Sequence, residues 1–140
     1  MQLNTYLTFE KQCREAFEFY RTVFGGDFLF IQTFGDGPPD LQVPDDERER
    51  IMHVSLPVGD SVLMGSDHSS SFGPAPQTGS NFSITVSPDS KADADRLLAG
   101  LSEGGNLAMP MQDMFWGAYF GMCVDRFGIR WQVNFEHPEE

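Results

Sequence analysis

The sequence predicts an α+β protein made of two successive modules, each with the element order βαβββ. Short segments of alternating apolar and polar residues, typical of strands, surround one helical pattern in each half of the chain. This order of elements repeats after positions 68–79, which are rich in Ser, Gly and Pro. We therefore predict modules at 1–67 and 80–140, joined by that linker within one structural domain.

The first module begins with a strand, a helix and a second strand. Alternating residues predict the strands at positions 3–9 and 28–34. Gly25-Gly26 predicts the end of the helix, because glycine accepts the left-handed conformation common at helix ends. The apolar residues that recur at helical spacing between these points are Cys13, Ala16, Phe17, Tyr20 and Phe24.

An acidic, proline-rich loop and a hairpin complete this module. The loop covers positions 35–50, and its charged run at 45–50 predicts solvated surface. Strands at 51–58 and 61–65 then pair around the turn at Gly59-Asp60.

The second module repeats the order with a shorter loop. A strand is predicted at 81–86, and Ser87-Pro88-Asp89 is typical of a helix start. Gly104-Gly105 ends this helix, and a strand follows at 107–111. The apolar residues at helical spacing are Ala94, Leu97, Leu98 and Leu101.

The last hairpin turns at positions 125–128 and has two chemically different faces. Side chains alternate along a strand, so Trp131 and Val133 fall on one side and Gln132 and Asn134 on the other. The apolar side is expected to pack on a core. The polar side is expected to face a ligand.

Composition limits the partners. The net charge of −12 argues against nucleic acid or an anionic membrane, because either would repel this surface. No apolar run is long enough for a membrane span, and the first residues lack the pattern of a signal peptide. Cys13 and Cys123 lack metal-ligand spacing, so we expect two free thiols and a cytoplasmic location.

Four segments carry a resemblance to a known family. The most specific is the last one, because so many aromatic and glycine residues at fixed spacing rarely coincide. The segments are Tyr6-Leu7-Thr8-Phe9 with Cys13, Glu15-Ala16 and Phe19-Tyr20; Phe24-Gly25-Gly26; Met52-His53 through Leu63-Met64 to Asp67; and Phe115-Trp116-Gly117 through Phe120-Gly121, Asp125, Phe127-Gly128 and Trp131 to Asn134.

The chain resembles the vicinal oxygen chelate superfamily, which includes glyoxalase I, bleomycin-resistance proteins and extradiol dioxygenases. Within it, the chain is most similar to the PhnB-like branch, also labelled 3-demethylubiquinone-methyltransferase-like. The resemblance implies a cupped, mixed but mostly antiparallel sheet with helices outside, and a homodimer. It also implies a small-molecule ligand in the cup. The residues expected to hold it are Tyr6, Ser55, Met64, Asp67, Asn81, Ser83, Trp116, Phe120, Gln132 and Asn134.

Metal-dependent members of the superfamily use His, Glu or Gln ligands on the first and last strand of each module. The matching positions here are near Asn4 or Tyr6, Met64, Asn81 and Gln132. A thioether is a soft ligand, and zinc or iron requires about three imidazole or anionic ligands. We therefore predict no metal and no other cofactor; a divalent ion could use His53, Asp67 or Glu136 only after a shift in register.

Several residues allow two readings. His53, on the polar face of its strand, suits an interface hydrogen bond or a general acid/base, and it is our candidate catalytic residue. Asp67 suits helix or turn capping as well as pocket chemistry. Trp116 suits an interface anchor or a pocket wall equally.

Two small-molecule functions follow, and whether the protein is an enzyme stays open between them; a purely structural dimer is a third possibility, because aromatic loops serve interfaces equally well. The first is binding of a small polar or amphipathic molecule without the usual metal. The alternative is a metal-assisted or His53-dependent lyase or isomerase. Methyl transfer is rejected, because a methyl-donor site would normally require a doubly wound sheet with a glycine-rich turn, for which the two modules leave no room.

Overall fold

The computed structural model describes residues 1–137 and contains two compact units, Met1–Gln77 and a second unit that begins at Thr78. Each unit has one α-helix and a four-stranded mixed sheet. The elements of the first unit are β1 Thr5–Phe9, α1 Cys13–Phe24, β2 Phe30–Thr33, β3 Ile51–Val58 and β4 Ser61–Asp67. The elements of the second unit are β5 Ile84–Val86, α2 Lys91–Ser102, β6 Asn106–Asp113, β7 Ala118–Val124 and β8 Arg130–Glu136.

The two sheets have equivalent strand orders. The first is β1-β4-β3-β2 and the second is β5-β8-β7-β6. In each sheet the first and last strands of the unit pair in parallel, and the remaining neighbours pair antiparallel. The prediction of an α+β fold with two βαβββ modules is therefore confirmed.

Helix α1 buries its apolar stripe against β3 and β4. Phe17 and Tyr20 are fully buried, as are Val54 and Leu56 on β3. The helix can lie this close because position 65 is glycine: a Cβ there would stand 2.7 Å from Cε2 of Phe17 and 2.9 Å from a backbone oxygen. The predicted apolar stripe thus becomes the core of the first unit.

Helix α2 packs on β7 and β8 through the four residues predicted from its spacing, Ala94, Leu97, Leu98 and Leu101, all of which are buried. Its predicted start at 87–89 is wrong. The N-cap is Ser90, whose Oγ accepts a hydrogen bond of 3.1 Å from the backbone N–H of Asp93. A hydroxyl that accepts a hydrogen bond from an N–H of the first turn stabilises the start of a helix, and here Ser90 provides that hydroxyl.

Strand β5 is shorter than predicted. It pairs with β8 only from Ile84, opposite Trp131, to Val86, opposite Val133. Phe82, which lies before the paired segment, is 61% exposed. Alternation in the sequence continues to position 81, but it carries no information on where the partner strand ends. Among residues 1–137, no helix combines the length and apolar character needed to cross a membrane.

Candidate functional site

One row of side chains crosses the helix-free face of the first sheet. The register aligns Tyr6 with Met64, Met64 with Ser55, and Ser55 with Phe30. Their strand neighbours point the opposite way, because Val54 lies buried on the side of α1. The row therefore brings together three predicted site residues, Tyr6, Ser55 and Met64, and adds Phe30, which the sequence interpretation missed.

His53 joins this row through both ring nitrogens. Its Nδ1 lies 3.3 Å from the hydroxyl of Tyr6, and its Nε2 lies 3.0 Å from Oγ of Ser55. Its ring is 5.7 Å from that of Tyr6 and 5.8 Å from that of Phe30. A neutral imidazole donates from one nitrogen and accepts at the other, and hydroxyls can serve either role. The result is a polar chain that runs from a buried Ser55 to Tyr6, whose side chain is 47% exposed.

The second sheet presents a comparable face. Gln132 aligns with Thr85, and Oγ1 of Thr85 donates a 3.4 Å hydrogen bond to Oε1 of Gln132. Asn134 aligns with Phe120 on β7, and the ring of Trp116 lies 6.3 Å from that of Phe120. This face is opposite α2, since a Cβ on the next residue of β7, Gly121, would contact the helix. Four predicted residues of the second unit thus share one neutral, aromatic surface.

Asn81 and Ser83 are placed differently from their prediction as strand residues. Both are exposed and lie in irregular chain before β5. The structure does not bring them into the row of Gln132 and Asn134, because the paired strand begins only at Ile84.

Asp67 links three backbone segments. Its carboxylate accepts 2.8 Å hydrogen bonds from the N–H of Cys13 at Oδ1 and from the N–H of Ile51 at Oδ2. The side chain is only 5% exposed, and this burial raises the pKa of Asp67 above its ordinary 3.8, against the effect of those two hydrogen bonds. Both oxygens therefore hold the starts of α1 and β3. These hydrogen bonds fit the predicted capping role; Asp67 also lines a cavity, and its role in a pocket stays a prediction.

A cavity of about 480 Å³ opens where β1 and β4 end. Its lining includes the hydroxyl residues Thr8 and Ser66 and the apolar residues Phe34, Met52 and Phe72. Phe72 belongs to a short 3₁₀ helix, Ser70–Phe72, within the segment predicted to be a linker. The sequence interpretation missed this cavity, because its wall is irregular chain in which hydrophobic periodicity gives no signal.

Glu47 fastens the cavity wall to the acidic loop. The expectation that this residue is solvated is wrong, since Glu47 is 3% exposed. Its Oε1 accepts a 2.8 Å hydrogen bond from the N–H of Ser70, and its Oε2 one of 2.8 Å from the hydroxyl. Arg50 lies 3.5 Å from Oε1 and donates to the carbonyl oxygen of His68. Nothing in the charged run distinguishes Glu47 from its neighbours, because Ser70, which holds both of its oxygens, lies 23 residues away.

Replacing Glu47 with Gln is expected to reduce stability at neutral pH and to have less effect in acid. Hydrogen bonds from Ser70, through its N–H and then its hydroxyl, hold the pKa of Glu47 below its ordinary 4.5. The stabilisation is thus complete above pH 4.5 and is lost as the pH falls through the lowered value. Urea unfolding of wild type and E47Q across this range measures the difference, and a difference that grows in acid contradicts the role.

The two thiols are unsuited to nucleophilic chemistry. Cys13 and Cys123 are both buried and neither forms a disulfide, as expected. Burial raises the pKa of Cys123 to about 11 and raises the pKa of Cys13 further. The thiol rather than the thiolate therefore predominates at neutral pH.

The residues at the expected metal positions do not fit a divalent ion. In the first unit they are a phenol and a thioether, Tyr6 and Met64, with Thr8 and Ser66 as the next aligned pair. In the second unit the expected positions are Asn81 and Gln132; Asn81 lies outside β5, and the residue that aligns with Gln132 is Thr85. Neutral oxygen and thioether groups lack the imidazole or anionic character that zinc and iron require. Across residues 1–137, no three His, Cys, Asp or Glu side chains are grouped so as to hold a metal.

Comparison with known proteins agrees with this geometry. A family model described as 3-demethylubiquinone-9 3-methyltransferase matches residues 1–134. The chain belongs to this family. Protein YjdN of Escherichia coli (strain K12) is 28% identical over 145 residues, which cover 96% of this chain and 95% of YjdN.

Solved structures share the fold. Protein PA1353 from Pseudomonas aeruginosa is 42% identical, with a TM-score of 0.85 and 99% of each chain covered. A putative 3-demethylubiquinone-9 3-methyltransferase, PhnB protein, from Bacillus cereus is 20% identical, with a TM-score of 0.73. The match covers 96% of this chain and 99% of the Bacillus cereus chain. A glyoxalase/bleomycin resistance protein/dioxygenase family enzyme from Burkholderia phytofirmans PsJN is 18% identical, with a TM-score of 0.62. The match covers 95% of this chain and 98% of that enzyme's chain. The resemblance to the PhnB-like branch and the glyoxalase-like fold are confirmed.

Proposed function

We propose that the protein binds a small polar or amphipathic molecule on the helix-free sheet faces, without a divalent metal. The observation that carries this proposal is the chain Ser55–His53–Tyr6, which ends at the half-exposed Tyr6 and whose imidazole lies beside the ring of Phe30. Hydrogen-bonding groups next to aromatic rings suit a ligand with a polar edge and an apolar body. That the faces of both modules line one common cup stays a prediction.

Catalysis by His53 is the second candidate function. An imidazole whose two nitrogens both meet hydroxyls can accept a proton on one side while it donates on the other. This geometry favours a proton transfer in a lyase or isomerase. Turnover that disappears in H53Q while ligand binding persists would support it over simple binding.

Methyl transfer is not proposed, although the family description names it. A methyl-donor site normally lies at the glycine-rich turn of a doubly wound parallel sheet. In residues 1–137 the sheets are mixed, with one parallel strand pair in each. We infer that the helix-free faces serve another ligand.

A homodimer in the cytoplasm is the proposed assembly and location. Phe115 is 97% exposed and the neighbouring Trp116 is 55% exposed. Adjacent exposed aromatic side chains are typical of a surface that another chain covers. The two free thiols support a reducing compartment. Light scattering on the purified protein would report the mass, and a monomer would contradict the dimer.

A thermal-shift screen of uncharged amphipathic compounds tests the binding proposal. The protein is first treated with a chelator, and binders are expected to raise its melting temperature with metal absent. Y6F is expected to weaken binding about threefold to tenfold, because it removes one hydrogen bond of about 1 kcal/mol. Quenching of Trp116 fluorescence would report contact with the second unit.

Tyr119→Phe is the matched control, since the Tyr119 hydroxyl donates a 2.6 Å hydrogen bond to Asp95 on α2, away from the proposed face. Its affinity should equal that of wild type. A broad screen that shifts neither the melting temperature nor Trp116 fluorescence contradicts the proposal. Binding that appears only when metal is restored contradicts its metal independence.

A further inference from the structure

The cavity beside β1 and β4 is lined by both polar and apolar residues. Thr8 and Ser66 are aligned neighbours on these strands, and both line the cavity together with His68. The hydroxyls of Thr8 and Ser66 form no hydrogen bond within the described residues 1–137. Phe34, Met52 and Phe72 are among the apolar residues of the lining. Hydrogen-bonding capacity is thus available beside apolar surface.

The apolar residues of the cavity include a stacked aromatic pair. The rings of Phe34 and Phe72 are 6.2 Å apart with an interplanar angle of 29°. Phe34 is buried, whereas Phe72 remains 62% exposed. An exposed aromatic ring at a cavity wall gains contact area when a flat molecule stacks against it.

The wall that carries Phe72 is held in place. The N–H of Phe72 donates to the carbonyl oxygen of Ser69 at 3.0 Å, and the side chain of Ser69 accepts from the N–H of Ser71 at 3.2 Å. Ser70 is fastened to the buried Glu47. A wall ordered by its own hydrogen bonds lowers the entropy lost on binding.

Charge argues for an uncharged ligand. The carboxylate of Asp67 at the cavity directs both oxygens to backbone N–H groups, and Glu47 behind the wall directs both of its oxygens to Ser70. The chain as a whole carries −12, which disfavours anions. The volume of about 480 Å³ lies within the range of about 300 to 1,000 Å³ found for ligand pockets.

We propose that this cavity binds a planar, uncharged aromatic molecule with a hydroxyl or carbonyl group at one edge. The aromatic rings of the ligand stack on Phe72, and its oxygen forms hydrogen bonds with the hydroxyls of Thr8 and Ser66. This inference rests on the proposed small-molecule function and assigns the class of ligand. It also places the aromatic body at the strand ends, beyond the row of Tyr6 and Ser55.

Titration with 2-naphthol, followed by its fluorescence and by calorimetry, tests the assignment. Saturable binding with one site per chain is expected. F72A is expected to weaken it about threefold to tenfold, as loss of one aromatic stacking contact implies. L107A is the control, because Leu107 on β6 is 49% exposed and lies far along the chain from Pro76, the last residue that lines the cavity. Its affinity should not change.

A second variant tests the polar edge. T8V removes one hydroxyl at nearly constant volume. It should weaken the binding of 2-naphthol and leave the affinity for 2-methylnaphthalene unchanged. Absence of saturable 2-naphthol binding, or equal affinity in wild type and F72A, overturns the cavity assignment.

Failure of this assignment is distinguishable from failure of the proposed function. Screen compounds that lose affinity in Y6F but not in F72A leave the sheet-face proposal standing and overturn the cavity assignment. Loss of 2-naphthol affinity in F72A, combined with no compound sensitive to Y6F, supports the cavity and contradicts the sheet face.

Discussion

Replacing Asp125 with Ala is expected to lower the free energy of unfolding by about 3 kcal/mol, because it removes a charged acceptor from three donors. Oδ1 accepts from the N–H of Phe127 at 2.8 Å and from that of Ile129 at 3.0 Å. Oδ2 accepts from Nε1 of Trp131 at 2.8 Å. Asp125 is 3% exposed and Trp131 is 2% exposed, so water cannot readily replace the lost partner. The turn and the core of the second unit therefore depend on one side chain.

Tryptophan fluorescence measures this effect directly. Trp131 and Trp116 are the two tryptophans, so a Trp116→Phe background isolates the buried one. Urea unfolding of that protein with and without D125A gives the difference. D125N keeps one acceptor oxygen and should lose less stability. The control is D89N, because Asp89 is exposed. A midpoint for D125A equal to that of D89N contradicts the assigned role.

Replacing Asp67 with Ala is expected to cost about 2 to 4 kcal/mol in the first unit. The N–H groups of Cys13 and Ile51 would both lose their acceptor, and each unsatisfied buried donor costs about 1 to 3 kcal/mol. Exchange of these two amide hydrogens should accelerate together, since one carboxylate holds both. D40N is the control, because Asp40 is an exposed residue of the same unit.

The pH dependence of the Asp67 effect has the opposite sign to that of Glu47. Because burial raises the pKa of Asp67, the folded protein holds a proton there more tightly than the unfolded chain. Its contribution is fully present below the ordinary value of 3.8 and declines as the pH rises through the raised value. The cost of D67A should therefore increase in acid. A cost that shrinks in acid contradicts the raised pKa.

The regular elements could be predicted because their signals are local. Apolar residues at helical spacing placed Phe17 and Tyr20 on the buried face of α1, and the structure has both fully buried. The extent of β5 could not be predicted, because a strand ends where its partner no longer faces it. Residues before Ile84 still alternate between apolar and polar types, although no strand pairs with them.

The candidate site was predictable by face and not by contact. Alternation along β3 and β8 placed His53, Ser55 and Gln132 on polar faces, as observed. It could not show that His53 contacts Tyr6, since 47 residues separate them. It also could not show that both carboxylate oxygens of Asp67 accept hydrogen bonds from backbone N–H groups. Long-range contacts of this kind depend on sheet register, which one sequence leaves open.

The sequence by itself determined the two βαβββ modules, the family and the neutral character of the residues at the expected metal positions. These properties follow from hydrophobic periodicity, glycine positions and residue chemistry, which are local. Only the tertiary structure decided that Asp67, Glu47 and Asp125 are buried anchors and that the segment predicted as a linker forms a cavity wall. The donors of Asp67 and Glu47 lie at distant positions in the sequence, and only the folded chain brings them together. The donors of Asp125 are near in sequence, but only the packing of the second unit buries them.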